Sequence, residues 1–335
     1  MVTIKDVAKL AGVSPSTASR ALRDNPMIRP ATRERVRQAM TELNYSPNFS
    51  AQNLVKQRSN TVAIVLPVRE SPQILGNNPF FMQIIQGITG ICSQKGFMVS
   101  LATGKTEADL LSSVQVLMQS GRVDKFIFLY AKKDDPVYQA VRENDDTSCI
   151  IVGHDEAKSH DKTYFVDTDN VKAGYDATEF LFQRGYQKPV FISTNLSETV
   201  QESRFAGYQR VMAKQDLPGF EVNLRGDYGD GGRLEAFLED SADTDAFVCC
   251  DDMTAIYLIR LLKELERASS FGFISFNNSL LAELESPALT SVDIFPYDLG
   301  EAAAKLLFVD SNLSESDRHI IIPHRIIERL STEKN

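Results

Sequence analysis

A chain of 335 residues is too long for one ordinary core and suits a small module joined to a two-lobed body. Hydrophobic residues make up 43% and charged residues 24%, the balance of a globular protein, and no apolar run approaches the ~18 residues that would cross a membrane. The net charge of −9 hides an asymmetry: residues 1–60 hold ten Lys/Arg against four Asp/Glu, and the remainder holds 26 against 41. A basic head on an acidic body is the charge pattern of a protein whose small end meets phosphate. The start, Met1-Val2-Thr3-Ile4-Lys5-Asp6, has no apolar signal core, so a cytoplasmic location is expected. Cys92, Cys149, Cys249 and Cys250 lie in apolar segments without CxxC spacing. Buried free thiols are expected there, with no metal and no cofactor.

In the head, Thr3 precedes the apolar face Ile4, Val7, Ala8, Leu10 and Ala11, and Thr3 with Asp6 fits a capping box. Gly12 can take the positive φ that ends a helix, Ser14 can cap the next one, and Pro15 suits its first position. A short second helix from Pro15 to about Leu22 follows, and the pair forms a helix-turn-helix unit. A third helix is expected from about Pro30 to Leu43, with Val36, Met40 and Leu43 facing inward. Ser14, Ser16, Thr17, Ser19 and Arg20 crowd the second helix. Hydroxyls compete with the backbone in a purely structural helix, but against DNA they supply short donors and acceptors to phosphates and base edges. Pro47 stops the third helix, and the segment after it is marginal alone, as a hinge that orders on DNA would be.

Ile4-Lys5-Asp6-Val7-Ala8, Ala11-Gly12-Val13-Ser14, Thr17-Ala18-Ser19-Arg20, Thr32-Arg33 and Tyr45-Ser46-Pro47-Asn48 together resemble the headpiece of the lactose-repressor/galactose-repressor family. The resemblance implies that Pro15, Ser16 and Arg20 face bases in the major groove while Thr17 and Ser19 hold phosphates. Thr3, Ser14, Asn25, Tyr45 and Asn48 complete the implied DNA-facing set. It further implies that Leu54 wedges into the minor groove and that Ala51, one turn earlier, lets two hinges approach. Three departures stand out. Ala18 replaces the usual Val, Arg29-Pro30 stands where a serine cap is usual, and Gln52-Asn53 replaces Arg-Ser.

From residue 61 the pattern changes. Strand-length apolar runs occur at Val62–Leu66, Phe97–Ala102, Lys125–Tyr130, Cys149–Val152, Val190–Ser193, Ala246–Cys249 and Phe271–Phe276. Helical patterns lie between most of them: Phe80–Gln94, Glu107–Gln119, Pro136–Glu143, Val171–Arg184, Glu198–Lys214, Gly231–Glu239, Asp252–Glu266 and Tyr297–Leu307. Such alternation implies parallel sheets covered on both faces, and so many units imply two lobes. Ile322–Ile326 reads as a late strand. The family resemblance implies a periplasmic-binding-protein-like body whose chain crosses between lobes three times. The expected organisation is therefore an all-α helix-turn-helix headpiece at 1–46, a hinge helix and linker at 47–60, and a two-lobed α/β effector-binding and dimerisation domain at 61–335. Its N-lobe would hold about 61–167 and 294–322, and its C-lobe about 168–293 and 323–335.

Ligands of such sheets sit beyond the carboxyl ends of the strands. Loops after strands offer Phe80 and Phe81 (which cannot both face a cleft), Asp169, Asp251 and Asn277. Asp252 reads as the cap of the following helix, with Asp251 as the cleft residue. The family pattern adds Arg204 and Tyr228. Arg, Asp and Asn suit vicinal hydroxyls, and an aromatic face suits a sugar ring. Asn277-Asn278-Ser279 with Leu289-Thr290-Ser291-Val292-Asp293 is similar to the maltose-operon repressors within the family. No GxSxG, Walker A or HExxH pattern occurs, so an enzyme is not expected. The expected function is a homodimeric regulator, a repressor of carbohydrate genes, binding double-stranded operator DNA under control of a small sugar. The alternative is control by a phosphoprotein co-regulator.

Overall fold

The structure, a computed structural model, describes residues 2–22, 24–45, 59–68, 79–132, 134–154, 163–226, 229–267, 271–309 and 318–334. Asn48, Ala51, Leu54 and Tyr228 lie outside the described residues. The chain divides into two compact units, Met1–Ser59 and Asn60–Asn335.

The first unit holds α1 (Ile4–Leu10), α2 (Pro15–Ala21) and α3 (Pro30–Glu42). Its core is built from Val7, Ala8, Ala11, Ala18, Ala21, Val36 and Ala39, with Met40, Leu43 and Tyr45 packed half-buried around it. Five alanines in seven core positions let three short helices approach closely, and the small Ala18 is fully enclosed. Thr3 and Asp6 close the capping box. The Thr3 hydroxyl and N–H both donate to the Asp6 carboxylate, at 2.7 and 2.8 Å, and hold it below its usual pKa. Gly12 ends α1 at φ 63. Arg29 precedes α3 without a side-chain cap, and Pro30 fills its first turn, where a missing N–H does no harm.

In the second unit, one sheet has the order β11-β5-β4-β3-β1-β2 and the other β12-β10-β9-β8-β6-β7. The first comprises β1 (Thr61–Val65), β2 (Met98–Ala102), β3 (Lys125–Phe128), β4 (Ser148–Val152), β5 (Thr163–Asp167) and β11 (His319–Ile321). All its pairings are parallel. The second comprises β6 (Pro189–Ser193), β7 (Glu221–Asn223), β8 (Ala246–Cys249), β9 (Gly272–Phe276), β10 (Thr290–Asp293) and β12 (Arg325–Ile327). Only β12 pairs antiparallel among its described ladders. Both faces of each sheet are covered, which is why the central strands read as unbroken apolar runs. Val62 and Ile64 face one core, Ala63 and Val65 the other.

Helices cover these faces in chain order: α4 (Pro79–Gln94), α5 (Glu107–Gln119), α6 (Pro136–Arg142), α7 (Asn170–Gln183), α8 (Thr199–Lys214), α9 (Asp230–Asp240), α10 (Asp252–Glu264), α11 (Leu280–Leu284) and α12 (Pro296–Leu307). Gly87 and Gly300 let α4 and α12 touch, and Gly174 and Gly207 do the same for α7 and α8. A Cβ at any of the four would lie 2.1 or 2.2 Å from a facing carbonyl oxygen.

Sheet membership requires three crossings among the described residues: after β5, after β10, and between β11 and β12. The last shortens the expected strand at Ile322–Ile326, of which Arg325 and Ile326 lie in β12. Ile322-Pro323-His324 carries the chain from one sheet to the other, and Pro323 has no N–H to give a ladder. His324 Nε2 meets Asp176 Oδ2 on α7 at 2.9 Å.

Candidate functional site

Two surfaces carry the chemistry, and each is built by its own unit. On the headpiece, Ala18 and Ala21 turn α2 inward, which leaves Pro15, Ser16 and Arg20 exposed on the opposite face. The first polar group of that row is committed to the fold. Ser14 Oγ accepts the Thr17 N–H at 3.1 Å and lies within hydrogen-bond distance of the hydroxyls of Ser16 (2.9 Å) and Thr17 (2.8 Å). Asn25 Oδ1 accepts the Met27 N–H at 2.9 Å and so shapes the α2–α3 turn.

The body brings a second group together at the carboxyl ends of β5, β8 and β9. Arg204, on α8, is only 3% exposed. Its Nε–H donates to Asn170 Oδ1 at 3.0 Å, and Nη1 donates to the Cys250 carbonyl at 2.6 Å. The guanidinium lies 4.2 Å from the centroid of the Phe276 ring, within cation–π range. Burial pulls Arg204 below its usual pKa, opposed by Cys250, Asp251, Asp167 and Asp252. Asp167 closes β5, and burial pushes its carboxyl up to about 7 against the hydrogen bond from Thr168, the Arg204 charge and the Asn170 amide. Among the described residues, the buried Thr168 hydroxyl has no hydrogen-bond partner. Gln201 ties down the loop after β6: its Oε1 accepts the N–H groups of Thr194 (2.9 Å) and Asn195 (3.1 Å).

Comparison with known proteins decides what the two surfaces belong to. Residues 3–48 match a family model described as bacterial regulatory proteins, lacI family, and residues 178–332 match a periplasmic binding protein-like domain. The chain is 31% identical to the HTH-type transcriptional regulator MalR of Streptococcus pneumoniae, over 98% of this chain and 99% of that one. This chain belongs to the lacI family of bacterial regulatory proteins. It is 30% identical to MalR of Staphylococcus xylosus, over 99% of this chain and 98% of that one. A solved structure of a transcriptional regulator CelR–cellobiose complex superposes with a TM-score of 0.71 at 26% identity, covering 99% of this chain and 100% of that one. The chain is therefore a DNA-binding transcriptional regulator and not an enzyme.

Within this lacI-family regulator, the expected cleft residues fall in different places. Arg204 stands at the centre of the group just described. Asn277 follows β9, is 8% exposed and takes φ 98, with Asn278 at φ 46. Two successive left-handed residues suit asparagine, so the backbone itself favours amides here. Asp169 and Asp251 both cap helices. Asp169 is exposed and its Oδ1 accepts the Lys172 N–H at 2.8 Å; Asp251 Oδ1 accepts the Thr254 N–H at 2.7 Å. The carboxylates enclosed beside them are Asp167 and Asp252. Asp252, expected as the cap, instead accepts hydrogen bonds from the hydroxyls of Ser275 (2.5 Å) and Ser291 (2.7 Å) and the Ser279 N–H (2.7 Å). Phe81 belongs to the core, and the half-buried Phe80 meets it edge-on at 5.2 Å.

Sequence reasoning passed over Asp167, Thr168, Asn170 and Phe276. Two of them had a signal: a carboxylate and an amide bracketing the end of an apolar strand. Among the described residues, no cluster of His, Cys, Asp or Glu could hold a metal ion, and no helix is long and apolar enough to cross a membrane. Cys92, Cys149, Cys249 and Cys250 are all buried free thiols.

Proposed function

We propose that this regulator is a homodimeric, cytoplasmic repressor of carbohydrate genes, of the maltose or maltodextrin class, released or engaged by a small sugar held at Arg204. The observation that carries the reading is the guanidinium buried at the carboxyl ends of the strands. Around it stand an amide, a carboxyl and an aromatic ring, the group types that meet sugar hydroxyls and ring faces. The MalR name of the relatives and the cellobiose of the CelR complex support a sugar of disaccharide size.

On the DNA side, Pro15, Ser16 and Arg20 read bases, and Thr17 and Ser19 meet phosphates. Thr3, Ser14, Asn25, Tyr45, Asn48, Ala51 and Leu54 complete the interface. Dimerisation is supported by the outer face of α4, where the exposed Met82 with Ile85 and Tyr297 lines a groove of about 860 Å³, and by Leu280 and Leu284 exposed on α11. Sugar binding would favour one lobe arrangement, with a coupling to DNA of about 1–3 kcal/mol typical of such switches.

The test is a thermal-shift panel of maltose, cellobiose and glucose on the full chain, with gel shifts on DNA selected from a random pool. Arg204→Ala loses sugar stabilisation and keeps DNA binding. A variant that binds maltose with wild-type affinity would overturn Arg204 as the sugar contact.

A further inference from the structure

The bonds behind Arg204 run in one direction, and the chemistry of the end groups sets that direction. Arg204 Nε can only donate, and an ionised Asp167 can only accept. Asn170 stands between them: its Oδ1 accepts from Arg204 Nε at 3.0 Å, and its Nδ2 donates to Asp167 Oδ1 at 3.0 Å and to the Thr168 carbonyl at 3.1 Å. With Asp167 ionised, one amide orientation satisfies both ends. With Asp167 protonated on Oδ2, its Oδ1 still accepts from Asn170 and the Thr168 N–H but has lost its charge, so the bond that fixes the amide weakens and Asn170 holds Arg204 less firmly. Asp167 is also part of the lobe crossing. It closes β5, and its carbonyl accepts the Ile322 N–H at 2.8 Å from the crossing between β11 and β12.

We propose that Asn170 is a positioning residue that relays the state of Asp167, at the lobe crossings, to Arg204. The proposal rests on the reading of Arg204 as a sugar contact, and it gives that contact a control. The guanidinium is held in its aimed geometry when Asp167 has lost its proton, so the cleft grips its sugar more tightly above neutrality than below it. The groups acting on Asp167 are Arg204, which favours its charge, and Asp169, which opposes it. From the neighbouring strands come His154, just past β4, and His319 on β11, which stack on each other and meet Phe165 edge-on. Cys250, Asp251 and Asp252 act on Arg204 from the other side.

The direct test needs no sugar. The ¹⁵N–¹H signal of Arg204 Nε, assigned by its loss in Arg204→Lys, is followed between about pH 5.5 and pH 8.5 in the full chain. It moves with a midpoint near 7 in the wild type and stands still in Asp167→Asn, which keeps an acceptor for Asn170 and Thr168 without ionising. Asn170→Leu abolishes the movement with Asp167 intact. In the same buffers, maltose binds about threefold or more weaker at pH 6 than at pH 8 in the wild type and equally at both in Asp167→Asn. A signal that does not titrate, or titrates alike in Asp167→Asn, overturns the relay. Unchanged maltose binding by Arg204→Ala overturns the sugar reading instead, so the two failures are distinguishable. Asp167→Asn carries the decision even if Asn170→Leu does not fold.

Discussion

Replacing Gly174 by alanine tests whether the seat of Arg204 depends on how closely α7 and α8 approach. A Cβ at Gly174 would lie 2.1 Å from the Arg204 carbonyl oxygen and 2.8 Å from its Cα, where non-bonded heavy atoms rest at about 3.5 Å. The obstacle is backbone, so no rotamer relieves it, and α8 must retreat by roughly 1 Å in a close-packed interior. The Nε–Asn170 bond starts at 3.0 Å, so a retreat of that size stretches it beyond useful geometry. Overpacking of this kind costs about 1–3 kcal/mol, and each kcal/mol lowers Tm by about 2–4 °C in a body of this size. Loss of a hydrogen bond to a charged group weakens sugar affinity further, by about tenfold. The sign alone is informative, because the same substitution on an open helix stabilises by about 0.5–1 kcal/mol. Thermal melts and maltose titrations of the full chain decide it. A Gly174→Ala protein that melts at or above the wild-type temperature and binds maltose normally would refute the close approach as what seats Arg204.

Asp252→Ala strands the hydroxyls of Ser275 and Ser291 and the Ser279 N–H in the C-lobe core, and the expected loss is about 3–5 kcal/mol in urea unfolding; less than about 1 kcal/mol would show the network to be dispensable. Asp167 has a folded-state pKa of about 7 against 3.8 free, so between those values the folded chain keeps a proton that the unfolded chain has released. Stability therefore falls as pH rises through that window and levels off above it, and Asp167→Asn gains on the wild type across it by up to about 1.4 kcal/mol per pH unit. Parallel pH–stability curves for the two proteins would refute the shift. In residues 1–59 alone, Ser14→Ala loses about 1 kcal/mol with the cap of α2, whereas Ser16→Ala melts unchanged and weakens DNA binding in the full chain. Equal melting losses for both would mean that Ser16 serves the fold.

Strong periodic signals made most of the architecture legible. Val62–Leu66, Ala246–Cys249 and the eight body helices announce themselves by unbroken apolar runs or by helical spacing, and each is an element in the structure. Short elements were not legible. Glu221–Asn223 and Leu280–Leu284 form because their neighbours supply the partner strand or the surface, which local propensity does not encode. The expected cap at Asp252 failed for a related reason. Asp167, Asp169, Asp251 and Asp252 all stand at strand-to-helix turns, where one carboxylate caps the helix and the other turns inward. Which does which depends on the strand's phase against the sheet. Asp169 and Asp251 fall at the N-cap, so Asp167 and Asp252 take the buried places.

The crossings are bonded to one another and not only to their own lobes. Asp167 on the first holds Ile322 on the third, and Arg325, just beyond it, lies 5.8 Å from the ring centroid of Phe295 on the second. Phe295 itself sits at φ 51, a conformation that costs a bulky residue about 1–2 kcal/mol. It is retained because its N–H donates to Asp293 Oδ1 at 2.8 Å, while Asp293 Oδ2 accepts from Asn278 Nδ2 at 3.0 Å. Any rotation of one lobe against the other must work through these same bonds. A ligand touching Arg204 reaches Asn170, then Asp167, then the third crossing, without leaving hydrogen-bonded neighbours. If a ligand binds at Arg204, this chain would link binding to the set of the lobes, and by reciprocity whatever fixes the lobes would also tune the site.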